Sequence, residues 1–176
     1  MRLLVARHGE TAWNAEYRVC GKTDLPLTEQ GLAQAEILAG RTEGMGITRI
    51  VASPMVRAVQ TARPASLLLG LPLETDTRLV EQNYGIYEGV RRDDPAFLAN
   101  KRQFCYRYPE GESMMDLAAR VYDFLRDLRE KYPEETVLIV CHGAVCRTIR
   151  SFFRDMTNEE YFAYSPDNAS LAEYAW

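Results

Sequence analysis

Apolar residues recur along the chain in two rhythms. Leu3–Ala6 and Thr136–Cys141 (TVLIVC) are short continuous apolar runs, the pattern of strands buried on both faces, and Ile47–Ala52 reads as a third strand. Between them the spacing turns helical. Thr28 stands as a cap before Leu32, Ala35, Leu38 and Ala39, and this helix ends near Gly44 and Gly46. Ser53-Pro54 places a capping hydroxyl and an N1 proline before Val56, Val59, Ala62 and Leu69, with Gly70 as the stop. Asp94-Pro95 opens a shorter helix. Ser113-x-x-Asp116 is a capping box ahead of Leu117, Val121, Phe124, Leu125 and Leu128. A last helical pattern runs through Val145, Ile149 and Phe152 or Phe153, and Ser170–Trp176 carries a fainter strand pattern. Strands alternating with helices predict an α/β fold: a parallel sheet covered on both faces, joined by right-handed crossovers.

Composition narrows the classes of function. A chain of 176 residues, 47% hydrophobic, fills one core, so a single domain over residues 1–176 is expected. The 21 Lys and Arg against 25 Asp and Glu leave a formal charge of −4, which argues against nucleic acid or anionic lipid as partner. An anion must therefore be captured locally. The opening MRLLVARHG has too few apolar residues for a secretory signal, and no run approaches membrane length. Cys20, Cys105, Cys141 and Cys146 form no C-x-x-C pair and no zinc ladder, so a reducing cytoplasm is the expected setting.

The two histidines occupy matching positions. His8-Gly9 and His142-Gly143 each follow a buried-type strand, and in open α/β sheets ligands bind beyond the strands' carboxyl ends. Either alone reads as an ordinary loop residue; together they mark a rim. Arg7 abuts His8, and Arg57 falls on the first turn of the helix after the second strand, where unpaired amides add donors. Guanidinium forks beside helix amides suit phosphate. Glu81 is a carboxylate available for general acid–base work.

Other motifs fail. Gly21-Lys22-Thr23 lacks the first glycine of a P-loop, Gly44-x-Gly46 precedes a strand instead of following one, and neither G-x-S-x-G nor H-E-x-x-H occurs. CHGAVCRT, residues 141–148, is the strongest rival. Strand, Cys141, five residues and Arg147 resemble the thiolate loop of low-molecular-weight tyrosine phosphatases, although that loop follows the first strand of its family and an Asp-Pro-Tyr acid is missing. Arg91-Arg92 and Lys101-Arg102 read as solvated surface more than as a second anion site, given Asp93 and Asp94 beside them. Phe97, Phe104, Tyr106 and Tyr108 fit an aromatic lid or plain core packing.

Arg7-His8-Gly9-Glu10-Thr11, continued by Trp13-Asn14 and Gly21-x-x-Asp24-x-Pro26-Leu27-Thr28-x-x-Gly31, resembles the signature of the histidine phosphatase, or phosphoglycerate mutase-like, superfamily. Ser53-Pro54, Arg57-Ala58-x-x-Thr61-Ala62, Leu79-x-Glu81, Gly85, Glu88-Gly89, Gly111-Glu112-Ser113 and His142-Gly143 follow in family order. Cys20 stands where many members have Gln, and Tyr87 where they have Trp. The resemblance implies a three-layer αβα sandwich with a mostly parallel sheet of about six strands, no metal and no cofactor. It implies His8 as nucleophile, Glu81 as proton donor, Arg7, Arg57 and His142 on the phosphoryl oxygens, and Asn14, Gly21, Tyr84 and Gly143 as substrate contacts. The expected partner is a small phosphorylated metabolite. Only nineteen residues separate Gly89 from Pro109, where mutases of this kind carry a longer insertion and an ordered tail, so the phosphatase branch is favoured. A mutase, and behind it a binding module without turnover, are the alternatives.

Overall fold

The structure, a computed structural model, describes residues 1–176. Five strands form one sheet: β1 (Arg2–Arg7), β2 (Arg49–Ala52), β3 (Leu73–Thr75), β4 (Thr136–Cys141) and β5 (Leu171–Ala175), in the order β3-β2-β4-β1-β5. The first four run parallel, and β5 lies antiparallel along β1. The sheet thus has five strands where about six are expected. β3 is only three residues long, too short to show a rhythm in sequence.

Alternation along β1 and β4 divides the interior in two. Leu3, Val5, Val137, Ile139 and Cys141 face a cluster of 19 buried residues, while Leu4, Ala6, Leu138 and Val140 face another of 13. Two helices cover each face. The larger cluster takes α5 (Met114–Lys131) and α6 (Gly143–Phe153); the smaller takes α2 (Glu29–Thr42) and α3 (Val56–Leu69). That is the αβα sandwich. Short helices α1 (Ala12–Ala15), α4 (Pro95–Lys101) and α7 (Asn158–Ala163) lie in the connections.

Local chemistry accounts for most boundaries. Thr28 accepts the Gly31 amide at 3.0 Å and opens α2, and Gly70 closes α3 with φ 65°. α3 begins at Val56, not Pro54: the Ser53 amide is still bonded to Val140 O, so the sheet holds that residue extended. Its N-terminus is capped from outside, by the Asp24 carboxylate accepting the Val56 amide at 2.9 Å. Leu32, placed by its spacing among the core positions of α2, is 46% exposed. The glycine next to it has a steric role. A Cβ on Gly31 would collide with the Glu10 carbonyl, so helix and signature loop touch backbone to backbone.

The predicted capping box of α5 is present: Ser113 Oγ accepts the Asp116 amide at 3.1 Å, and Asp116 accepts the Ser113 amide at 2.8 Å. Removing the hydroxyl leaves helix donors unpaired. Ser113→Ala is expected to cost about 1 kcal/mol, read as a lowered urea midpoint at unchanged m-value; an unchanged midpoint would show the cap to be dispensable.

Candidate active site

Register brings the two histidines together. Arg7 pairs with Cys141 across β1 and β4, so the next residue on each strand, His8 and His142, emerge side by side at the carboxyl edge. Their ring centroids are 5.1 Å apart, close to the spacing of the strands themselves. Both rings are buried. Their hydrogen bonds select opposite tautomers. His8 Nδ1 lies 2.6 Å from the Gly9 carbonyl, which only accepts, so Nδ1 carries the proton and Nε2 the lone pair. His142 Nδ1 instead accepts from Arg57 Nε at 3.2 Å, which puts its proton on Nε2. That Nε2 has no protein partner. One ring thus keeps a nitrogen lone pair and its neighbour a neutral N–H donor. Burial, with the Arg57 and Arg7 guanidiniums adding to it, holds His8 well below its ordinary pKa. His142 is lowered likewise, by burial first and then by Arg57, His8 and Arg7.

Arg57 is fully buried. Besides His142 it bonds Thr23 O at 3.0 Å and Gly21 O at 2.8 Å, fastening the signature loop to α3. Glu88 completes the fastening, accepting the Lys22 and Thr23 amides at 2.6 and 2.7 Å. Gly21 therefore contributes a carbonyl to Arg57 and no lining surface, and a side chain there would strike Gln82 and Tyr84. Arg7 donates from Nη1 to Pro166 O at 2.7 Å and leaves Nε unpaired, while burial lowers its pKa. Asn14 Oδ1 accepts the Thr11 amide and the Asn168 amide group, at 3.1 and 3.2 Å, so its own NH₂ is free to face the cavity.

Glu81 reaches the same place from an irregular segment. Its carboxylate accepts the Gln82 amide at 2.8 Å and the Ala144 amide, on the first turn of α6, at 3.1 Å. Gly143 lines the cavity next to it, and a Cβ there would make ordinary contact with Arg7 and Glu81. Arg7, His8, Asn14, Glu81, Tyr84 and Gly143 share one cavity of about 80 Å³; Arg57 and His142 lie behind its wall.

The lining also contains residues that sequence reasoning set aside. Arg92 and Lys101, read as solvated surface, both line the cavity, and so does Arg147. Arg92 is steadied by Arg18 O at 3.0 Å and Arg147 by Tyr164 O at 3.0 Å, but neither forms an ion pair. Burial and the neighbouring Arg147, Arg92 and Arg102 lower Lys101 to about 8. The aromatic residues divide. Phe97 lines the cavity and packs with Tyr84 and Tyr108 in a buried cluster, whereas Phe104 packs against Tyr161 and Phe162. The thiolate reading does not survive. Cys141 points into the larger core, 3.5 Å from Cys146 Sγ, and burial pushes its thiol pKa far up, the reverse of what a nucleophilic cysteine needs. Nowhere do three His, Cys, Asp or Glu side chains gather as metal ligands.

The family model of the histidine phosphatase superfamily (branch 1) matches residues 3–176. The chain is 38% identical over 150 residues to a probable phosphoglycerate mutase of Yersinia pestis, an alignment covering 81% of this chain and 70% of that one. Two solved structures are similar in fold. A mycobacterial glucosyl-3-phosphoglycerate phosphatase, complexed with VO3, aligns at TM-score 0.89 and 29% identity over 98% of this chain and 90% of its own. A putative alpha-ribazole-5'-P phosphatase of Escherichia coli aligns at 0.84 and 26%, over 98% and 89%. With the motifs in family order and the match running nearly end to end, the chain belongs to the histidine phosphatase superfamily.

Proposed function

We propose that this protein hydrolyses a small phosphomonoester, without a metal, through a phosphohistidine on His8. The observation behind this reading is the pair of opposite tautomers: a lone pair on His8 Nε2 beside an unpartnered N–H on His142, among buried arginines. In the first step His8 Nε2 attacks phosphorus, the P–O ester bond breaks, and Glu81 in its acid form protonates the departing oxygen. In the second, Glu81 takes a proton from the attacking water, the P–N bond breaks, and His8 recovers its lone pair. Arg7, His142 and the Asn14 amide offer fixed donors to the charge spread over the phosphoryl oxygens, and Arg57 adds its buried positive charge behind His142. Arg57, buried and bonded to His142 Nδ1, acts through His142 by fixing its tautomer.

Water as acceptor is supported by the short segment between Gly89 and Pro109, which folds as α4 and adjoining turns, and by the names of the structural neighbours. A mutase is the second reading, favoured by the 38% identity to the Yersinia protein. A cationic lining suits an alcohol part bearing a further anionic or polar group, such as a sugar phosphate, a phosphoglycerate or α-ribazole phosphate.

Incubation with ³²P-labelled substrate, followed by quenching in acid or alkali, is expected to trap an alkali-stable, acid-labile label that His8→Ala abolishes and Cys141→Ser retains. Full activity in His8→Ala would overturn the mechanism. Assaying free phosphate beside isomerised product decides between hydrolase and mutase. The buried imidazoles also predict a pH effect on folding. Their folded pKa values lie below the unfolded value of about 6.5, so the unfolded chain takes up protons first. Above about pH 6.5 neither group matters; below it each removes up to about 1.4 kcal/mol of stability per pH unit. Urea titrations from about pH 7.5 down to 5.5 are expected to show this fall, shallower in His142→Gln. For the cationic lining, Lys101→Met is expected to raise KM about tenfold for 3-phosphoglycerate while leaving p-nitrophenyl phosphate nearly unchanged, the size of one charge-assisted contact.

A further inference from the structure

Glu81 must meet the leaving oxygen with a fixed geometry, yet it sits on a stretch, residues 80–84, that belongs to no strand and no helix. Backbone groups there have no ladder to join, and such segments are ordinarily the mobile ones. Here one side chain replaces the ladder. Arg120, on α5, donates from Nη1 to the carbonyls of Arg78 and Val80, both at 2.6 Å, and from Nη2 to the carbonyl of Glu81 at 3.3 Å. Its remaining donors go to Glu112, Nη2 to Oε1 at 2.7 Å and Nε to Oε2 at 3.2 Å. All five guanidinium N–H groups are thus used. Glu112 extends the grip past Glu81: Oε1 accepts the Asn83 amide at 2.9 Å, and the Glu112 amide donates to Asn83 O at 3.0 Å.

The backbone is therefore held on both sides of residue 81, by groups that do not line the cavity. Both partners are largely buried, with side chains 22% and 17% exposed, so the pair is poorly screened and costly to break. Lysine cannot replace the arginine, because a single ammonium has three donors and no planar fork to span three carbonyls and a carboxylate. We propose that the Arg120–Glu112 ion pair is a positioning device for the general acid, holding the 78–83 backbone so that the Glu81 carboxyl stays between the amides of Gln82 and Ala144 and in reach of the leaving oxygen. The proposal rests on Glu81 being the proton donor.

Leaving-group dependence tests it. p-Nitrophenolate departs without a proton, whereas the alkoxide of glycerol 3-phosphate requires one, so the ratio of kcat/KM for the aryl over the alkyl ester reports the acid alone. kcat/KM is used because it covers the steps through phosphorylation of His8 and is blind to a slow second hydrolysis. Glu81→Gln sets the scale and is expected to raise the ratio by about a hundredfold. Arg120→Lys and Glu112→Gln are expected to raise it about tenfold and several-fold, with kcat/KM for the aryl ester near the parent value. Equal losses on both esters, or no loss on either, would overturn the proposal, since a purely structural defect lowers both together. If Arg120→Lys does not fold, Glu112→Gln decides by the same ratio. A ratio unmoved in Glu81→Gln itself would instead remove Glu81 as the acid, and the device would fall with it.

Discussion

Parallel pairing of β1 with β4 is the constraint from which the site follows. Six residue pairs fix the register, and the last of them, Arg7 with Cys141, leaves His8 and His142 abreast at the rim. A slip of one residue would turn both core faces inside out, so the burial that stabilises the sheet also protects the spacing of the imidazoles. β2 then lies on the other side of β4, which brings the first turn of α3, and Arg57 with it, against His142. Packing energy, spread over two cores, thereby sets the spacing of the two imidazoles at one point.

Electrostatics inside this frame is deliberately unbalanced. The chain as a whole is negative, yet Arg7, Arg57, Arg92, Lys101 and Arg147 surround or border one small cavity containing a single carboxylate. Burial first, and this concentrated positive charge after it, explain why both histidines stay neutral and why Lys101 is lowered. A bound dianion reverses that pressure, easing protonation of the same groups; ligand binding and proton uptake are linked here by Coulomb's law. Selection of opposite tautomers by Gly9 O and Arg57 Nε is the finer adjustment, since equal burial alone would not distinguish nucleophile from donor.

Much of this was legible in the residues themselves. The buried-type runs, the α5 capping box and the matched histidines rest on local patterns that burial enforces, and each appears where the pattern puts it. What escaped was decided by partners distant in sequence. Asp24 caps a helix that begins 32 residues later, and Ser53 is held by β4 instead of opening that helix. Arg57 is in the site, but its contacts fasten a loop and orient His142. Arg92 stands beside Asp93 and Asp94 in sequence and Lys101 beside Arg102, and only the fold turns both toward the cavity and Asp93 away to Arg91. Arg120 gave no sequence signal at all, being one charged residue on an amphipathic helix.

The division of labour within the lining has a physical basis. Arg7, His8 and Gly143 stand on strand ends and a helix start, where neighbouring hydrogen bonds fix the backbone, and the proposed phosphoryl transfer gains from donors that need no reorganisation as charge develops. Arg92, Phe97 and Lys101 instead stand on α4 and the turn before it, a single two-turn helix in the connections. Changes there disturb neither sheet register nor tautomer. The same reasoning applies to Glu81, which stands on an irregular segment and is tied to α5: under the proposed mechanism it serves a step that every substrate shares, and so has to be as rigid as the strands it faces.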